Sequence, residues 1–451
     1  MRIEKDSLGA LPIPTDAYYG IHTLRAKQNF AITGQTVDLR LIHAIAQIKL
    51  AAAIANGKDG TLTNDKVQSI RQAVTEIQAG KLDTAFIIDP IQGGAGTSTN
   101  MNVNEVITNR ALELMGHQKG AYTFLHPLDD VNKSQSTNDV YPSGGKLALL
   151  NYLEELSPTI DLLIATLEAK AIAFADIPKI GRTQLQEAIP TTMGASFAAF
   201  ASGLQRCKVR LQKSATELYV LNMGGTAIGN CLNASATYQK SFYQALNHLT
   251  KRSFQPSPNL IDATQNLDTF VALSGSLKAL AVTLSKIAHD FRLLSSGPQS
   301  GFNELNLPQK QAGSSIMPGK VNPVIPEVVS QVAFQVIGYD TAITFAAESG
   351  ELELNAFEPL IFHNLFATCQ VLQNACTTFA AHCVKDVTVN SDKCHQDVAK
   401  STGTITRLAP ILGYETASRI VKLALTQGLT VDEVMQNEGL HFANSTLQKL
   451  G

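Results

Sequence analysis

Four short segments carry side chains that could do chemistry. Residues 93–100 read Gly-Gly-Ala-Gly-Thr-Ser-Thr-Asn, residues 132–139 Asn-Lys-Ser-Gln-Ser-Thr-Asn-Asp, and residues 181–186 Gly-Arg-Thr-Gln-Leu-Gln. The fourth, 311–323, is Gln-Ala-Gly-Ser-Ser-Ile-Met-Pro-Gly-Lys-Val-Asn-Pro. Together they offer hydroxyls, carboxamides, backbone N–H groups and the cations Lys133, Arg182 and Lys320, a set that suits a carboxylate-bearing ligand. They contain no His-x-x-x-His pair, no Gly-x-Gly-x-x-Gly and no Walker-type Gly-Lys-Ser/Thr, so metal, dinucleotide and nucleotide chemistry find no local signature. Taken singly, such segments also serve as helix N-caps or turns, and for 93–100 that is the simpler reading. The segment 313–323, with glycines on both sides of Ser-Ser-Ile-Met-Pro, is too particular for an ordinary connector.

The elements that must position these segments show in the apolar spacing. Leu149, Leu153, Leu156, Ile160, Leu163 and Leu167 repeat in steps of four and three. So do Leu273, Leu277, Leu280, Leu284, Ile287 and Phe291, and again Leu365, Cys369, Leu372, Cys376, Phe379 and Cys383. This spacing lays each set along one seam of a helix. Each seam predicts a helix near ~30 Å long, and helices of that length meet most economically in a bundle. Pro158, inside the first, should kink it or leave a gap in its hydrogen bonds. Ala- and Leu-rich stretches elsewhere favour more helix, and no βαβ rhythm is present. The fold expected is all-α, with a central long-helix bundle domain at 139–392, an N-terminal mostly helical domain at 1–138 and a small helical domain at 393–451.

Composition narrows the function. With 44% hydrophobic residues among 451, the chain can bury a large core, while its 16% charged residues fall below the ~25% usual for soluble domains. Surface covered by partner subunits is the reading we favour for that deficit. The net charge of −2 comes without like-charge blocks, so neither nucleic acid nor an anionic membrane is an expected partner. The charged start and the lack of an uninterrupted apolar run point to a cytoplasmic location with no membrane span. Six cysteines form no Cys-x-x-Cys pair, and the three in the third seam read as small core residues. His126, His289 and His382 have no partner that sequence identifies, and Lys133 reads as a structural or solvated cation.

The segment Gly-Ser-Ser-Ile-Met-Pro-Gly-Lys-Val-Asn-Pro resembles the signature loop of the aspartase/fumarase superfamily. The likeness runs through the opening 16–25, the block 94–105, the segments 132–139 and 181–188, and the stretches 293–298 and 347–352. It is closest to the aspartase branch. The resemblance implies a three-domain helical subunit, a tetrameric helix-bundle core and a homotetramer with active sites shared by three subunits. It also implies a cofactor-free lyase, with no metal in the site, that converts L-aspartate reversibly to fumarate and ammonia. By the same resemblance Ser314 is the general base. Lys320 and Asn322 hold the carboxylate next to the carbon that loses its proton, and Thr97, Ser136, Thr137, Asn138 and Thr183 hold the other carboxylate and the amino group.

Gln184 stands where fumarases of this superfamily carry histidine. Hydroxide needs a proton to leave and ammonia does not, and a carboxamide is no general acid at neutral pH. The residue therefore favours ammonia release over water release. A fumarase or another lyase of the superfamily, and a non-catalytic homologue, stay open as alternatives. Two departures bear on accessory roles: Leu128 and Asp130 replace the Asn and His of the family's loop, and 426–451 departs from the family's acidic ending.

Overall fold

The structure is a computed structural model that describes residues 1–440. A hairpin of β1 (Arg2–Asp6) and β2 (Gly9–Ile13) opens the chain, followed by α1 (Ile21–Asn29), α2 (Leu39–Lys58), α3 (Asn64–Gln78) and α4 (Thr97–Leu114). Next come α5 (Thr137–Ala173), the hairpin of β3 (Pro178–Thr183) and β4 (Gln186–Thr192), and α6 (Met193–Ala215). The chain continues through β5 (Val220–Leu221), α7 (Ala236–Thr250), β6 (Gln255–Pro256), α8 (Asp262–Gln265), α9 (Asp268–Leu294) and β7 (Leu305–Asn306). It ends with α10 (Val324–Glu348), α11 (Glu358–His382), β8 (Thr388–Val389), α12 (Ser391–Lys400), α13 (Ala409–Leu412), α14 (Tyr414–Gln427) and α15 (Val431–Asn437).

The protein is mostly helical. The all-α expectation needs one amendment: the strands pair into two-stranded sheets, and β3–β4 carries one of the chemically interesting segments. The three apolar seams fall on α5, α9 and α11, with Cys383 one residue past the end of α11, and every one of their residues is buried. Helix α5 runs unbroken through Pro158. The seam thiols Cys369, Cys376 and Cys383 are pushed up to about 12 by burial, which keeps them neutral fillers of the core. Helices α2 and α9 are long and apolar enough to cross a bilayer by composition, yet 72% and 50% of their most apolar windows lie inside the fold. Their apolar content serves the core.

Chain contacts fall into two discontinuous compact units. The first comprises Met1–Ser157, Lys208–Ala281 and Phe334–Gln373, and the second comprises Pro158–Cys207, Val282–Ala333 and the chain from Asn374 onward. In the first, α5, α9 and α11 interlock through Tyr141, Phe270 and Phe362, and Tyr152 stacks on Phe366 at 5.2 Å. In the second, α6, α9 and α11 meet at Phe197, Phe291 and Phe379. A separate small core of Ile405, Leu408, Ile420, Val431 and Val434 gathers the last helices of the second unit. Of the divergent segment 426–451, the part beyond residue 440 lies outside the described residues.

The opening motif has a structural task. The backbone N–H groups of Gly20, His22 and Thr23, at the start of α1, donate to the buried carboxylate of Glu105 on α4. The Thr23 hydroxyl adds a bond at 2.6 Å. A helix N-terminus collects an anion well, and here the chain supplies its own. Burial still pushes Glu105 up to about 7 against those donors.

Candidate active site

In the first unit two helices begin side by side. Residues Gly94, Ala95 and Gly96 all take positive φ, turning the chain sharply into α4. Gly96 is the N-cap and supplies no side-chain cap, and a Cβ there would meet the Tyr141 ring at 2.4 Å. The tightness of this turn excludes other residues and leaves Thr97 exposed on the first turn of α4. Helix α5 starts at Thr137. The Ser136 hydroxyl accepts from the Asn138 N–H at 3.2 Å, and Ser136 N–H donates to the buried Asp139 at 3.0 Å. The second Asp139 oxygen accepts from Thr226 N–H at 2.8 Å. Burial nevertheless pushes Asp139 up to about 6. The Asn138 amide donates to Ala227 O at 2.7 Å.

Asn100 joins the two helix starts, its amide donating to the Thr137 hydroxyl at 3.0 Å. Beside them lies a cavity of about 830 Å³ lined by Asn132, Lys133, Ser136, Thr137, Thr226 and Asn230, among others. Both helices carry hydroxyls on their first turns, and although Gln92 accepts from Thr99 N–H and Ser136 from Asn138 N–H, the positive ends of the two helices still favour a small anion. The departure at Leu128 and Asp130 also has a local account. Asp130 accepts from His126 N–H at 2.8 Å and pairs with Lys66 of α3 at 2.7 Å, so the family's imidazole is replaced by an internal ion pair. The His126 ring accepts from Leu128 and Asp129 N–H and caps this same turn.

In the second unit, Thr183 pairs with Gln186 across the β3–β4 turn. The two residues between them, Gln184 and Leu185, have φ of 54° and 64°. A two-residue loop with both φ values positive usually carries Asn-Gly, so Gln-Leu holds this geometry under strain of the kind that the surrounding fold must support. The support is visible. Arg182 donates to Glu304, a fully buried carboxylate, with Lys179 3.7 Å from its other oxygen. The guanidinium lies 4.4 Å over the Phe302 ring. Ser401 donates to Glu187 on β4 at 2.6 Å. Arg182 is therefore committed to holding the hairpin, which corrects its reading as a cation free for a ligand. Thr183 and Gln184 stand exposed at the tip.

The loop 311–323 is closed at its neck. The Asn322 amide donates to Gly313 O at 2.6 Å, and a Cβ on Gly313 would lie 2.1 Å from Lys320 O. Gly319 takes φ +80° with open space around it. Within the loop the Ser314 hydroxyl oxygen accepts two backbone N–H bonds, from Ile316 at 3.1 Å and Met317 at 2.9 Å. Donors aimed at that oxygen favour its deprotonated form. Lys320 is exposed, and Ile316 is 82% exposed.

Of the nine residues expected to form the site, Thr97, Ser136, Thr137 and Asn138 thus belong to the first unit. Thr183, Gln184, Ser314, Lys320 and Asn322 belong to the second. Sequence reading missed Glu304 and the buried groups beneath Thr137, because their partners lie far away along the chain.

Residues 9–338 match the family model described as Lyase. The chain is 50% identical to the aspartate ammonia-lyase of Pseudomonas aeruginosa over 442 residues, covering 97% of this chain and 93% of that protein. It is 45% identical to that of Escherichia coli K12 over 443 residues, covering 98% and 93%. Among solved structures, a fumarate lyase:delta crystallin from Brucella melitensis superposes with a TM-score of 0.96 at 47% identity, covering 100% of this chain and 98% of that one. A class II fumarase from Schistosoma mansoni gives 0.95 at 34% identity, covering 100% and 97%.

Proposed function

This chain belongs to the lyase family, and from that premise we propose that it converts L-aspartate reversibly to fumarate and ammonia. The observation that carries the reading is the Ser314 hydroxyl with two backbone N–H groups aimed at its oxygen, in a closed-neck loop that also bears Lys320. As an alkoxide stabilised by those donors, Ser314 takes the proton from the carbon next to one carboxylate. The electrons flow into that carboxylate, which becomes a dianion, and the Lys320 ammonium gains most at that moment. The C–N bond then breaks and ammonia leaves. Two N–H bonds alone do not make serine a strong base at neutral pH. The rest comes from excluding water when the exposed Ile316 and Met317 pack down over the substrate. The other carboxylate and the amino group fall to Thr97, Ser136, Thr137, Asn138 and Thr183, and Asn322, which also bonds the loop's neck, joins Lys320 at the first carboxylate.

Two features support a site assembled from several subunits. Its candidate residues are divided between two compact units. Helix α10 leaves Phe334, Ile337 and Phe345 on one face, the two phenylalanines 58% and 65% exposed. Apolar surface of that kind marks an interface, and we take the assembly to be a homotetramer with three subunits contributing to each site. The three-domain division at 138/139 and 392/393 belongs to the same reading.

Water release from malate is the second reading, prompted by the fumarase likeness. Gln184 opposes it, since the tip offers a hydroxide no proton donor. Ultraviolet assay of fumarate, with L-aspartate and L-malate as separate substrates, decides between them. Fumarate should form from aspartate with little from malate, and malate turnover comparable to aspartate turnover would overturn the assignment.

A further inference from the structure

Beneath the start of α5 lies a lysine that the reaction as described does not use. Lys49, in the middle of α2, is fully buried, and its ammonium donates to the side-chain oxygen of Asn132 at 2.7 Å. That same oxygen accepts from the amides of Asn100 and Asn104, each at 3.2 Å. Asn100 in turn donates to the Thr137 hydroxyl oxygen at 3.0 Å, and Thr137 lines the 830 Å³ cavity. The carboxamide oxygens of Asn100 and Asn104 are buried with no hydrogen-bond partner.

The direction of every bond in this chain follows from its first member. An ammonium can only donate, so Asn132 must turn its oxygen, not its NH₂, toward Lys49. With that oxygen fixed, Asn100 and Asn104 must present NH₂ groups to it. The Asn100 NH₂ then also reaches Thr137, whose oxygen becomes an acceptor. The threonine's own proton is left to point outward into the cavity. A neutral residue in place of Lys49 would leave only the 3.2 Å bond from the Asn132 amide to Gln135 O to oppose a flip of Asn132, and each later bond could reverse with it. Reversed, Thr137 would spend its proton on Asn100 and meet a carboxylate with lone pairs only.

We propose that Lys49 is a positioning residue: it sets the polarity of the chain Asn132–Asn100–Thr137, so that the Thr137 hydroxyl donates to a substrate carboxylate in this cavity. The inference rests on the dicarboxylate reading given above. It gives the cavity, whose lining includes both Lys133 and Asp129, a hydroxyl donor of fixed direction for an anion, and it explains why an ammonium is kept in a dry core. Burial pulls Lys49 down to about 7, with the buried Asp139 acting against that pull. An anion docked on Thr137 would help keep the proton in place.

The test uses the full-length protein with Lys49→Met, Thr137→Val and the double variant. Steady-state kinetics with L-aspartate are measured alongside calorimetric binding of succinate, a dicarboxylate that cannot react. A contact made equally in ground and transition states moves KM and not kcat, so Lys49→Met should raise KM and the succinate Kd by ~10-fold or more, with kcat within ~3-fold of wild type. Because Lys49 acts through Thr137, the double variant should be no worse than Thr137→Val alone. Should Lys49→Met fail to fold, Asn100→Ala interrupts the same chain and carries the same expectation. KM and Kd within twofold of wild type, effects that add in the double variant, or a fall in kcat alone would overturn the proposal. If wild type neither turns over aspartate nor binds succinate, the reading of the site fails and this inference falls with it.

Discussion

Replacing Gly313 by alanine separates loop geometry from fold stability. The added Cβ would sit 2.1 Å from Lys320 O, 2.7 Å from Lys320 C and 2.8 Å from the Cα of Val321, all backbone atoms that no rotamer change can move. Real Cβ atoms essentially never come closer than 3.0 Å, so the two ends of the loop must part by at least 3.0 − 2.1 = 0.9 Å. That opening breaks or stretches the 2.6 Å bond from Asn322 to Gly313 and displaces Ser314 relative to Lys320. A misplacement of about 1 Å in reacting groups costs ~10²-fold in rate, so kcat/KM should fall by roughly that factor. The loop is exposed and contributes little to the core, so Tm should stay within ~2 °C of wild type. Gly319→Ala is the matched control: it meets no atom, and its φ of +80° brings only local strain. Its loss should stay below ~30-fold, since αL geometry costs a non-glycine residue about 1–2 kcal/mol and ~1.4 kcal/mol is tenfold in rate. Fumarate formation and thermal denaturation are measured on both. If Gly313→Ala keeps more than a tenth of wild-type kcat/KM, the closed neck is not what aligns Ser314 with Lys320.

Ser314→Ala should lower kcat by several orders of magnitude while aspartate still binds, since the hydroxyl acts on the proton being transferred. More than about a tenth of wild-type kcat, a loss under ~1.4 kcal/mol in barrier, would remove Ser314 from the role of base. Phe345→Glu places a charge on the exposed apolar face of α10, and sedimentation should show the proposed tetramer dissociating with activity lost in parallel. A fully active monomer would contradict a site shared among subunits.

The sequence alone determined the helical seams. Periodicity of 3.6 residues per turn is a local property, and all three predicted stripes emerged on α5, α9 and α11 with each residue buried. It also marked the segments expected to carry the chemistry, because clusters of Gly, Ser, Thr and Asn interrupt that period wherever the chain leaves a helix. What those segments do with their side chains was decided by partners distant along the chain. Arg182 looked like a cation free for a ligand, and Glu304, 122 residues away, takes it to hold the hairpin tip. Asp130 looked like the loss of a family histidine and is one half of an ion pair with Lys66 on α3. Lys49 gave no signal among the apolar residues of α2, yet it orders the amides beneath Thr137 from a distance of 83 residues at Asn132. Such pairings depend on which buried donors meet which acceptors once the helices have packed, and helical spacing carries no information about that. Only the tertiary structure supplies it.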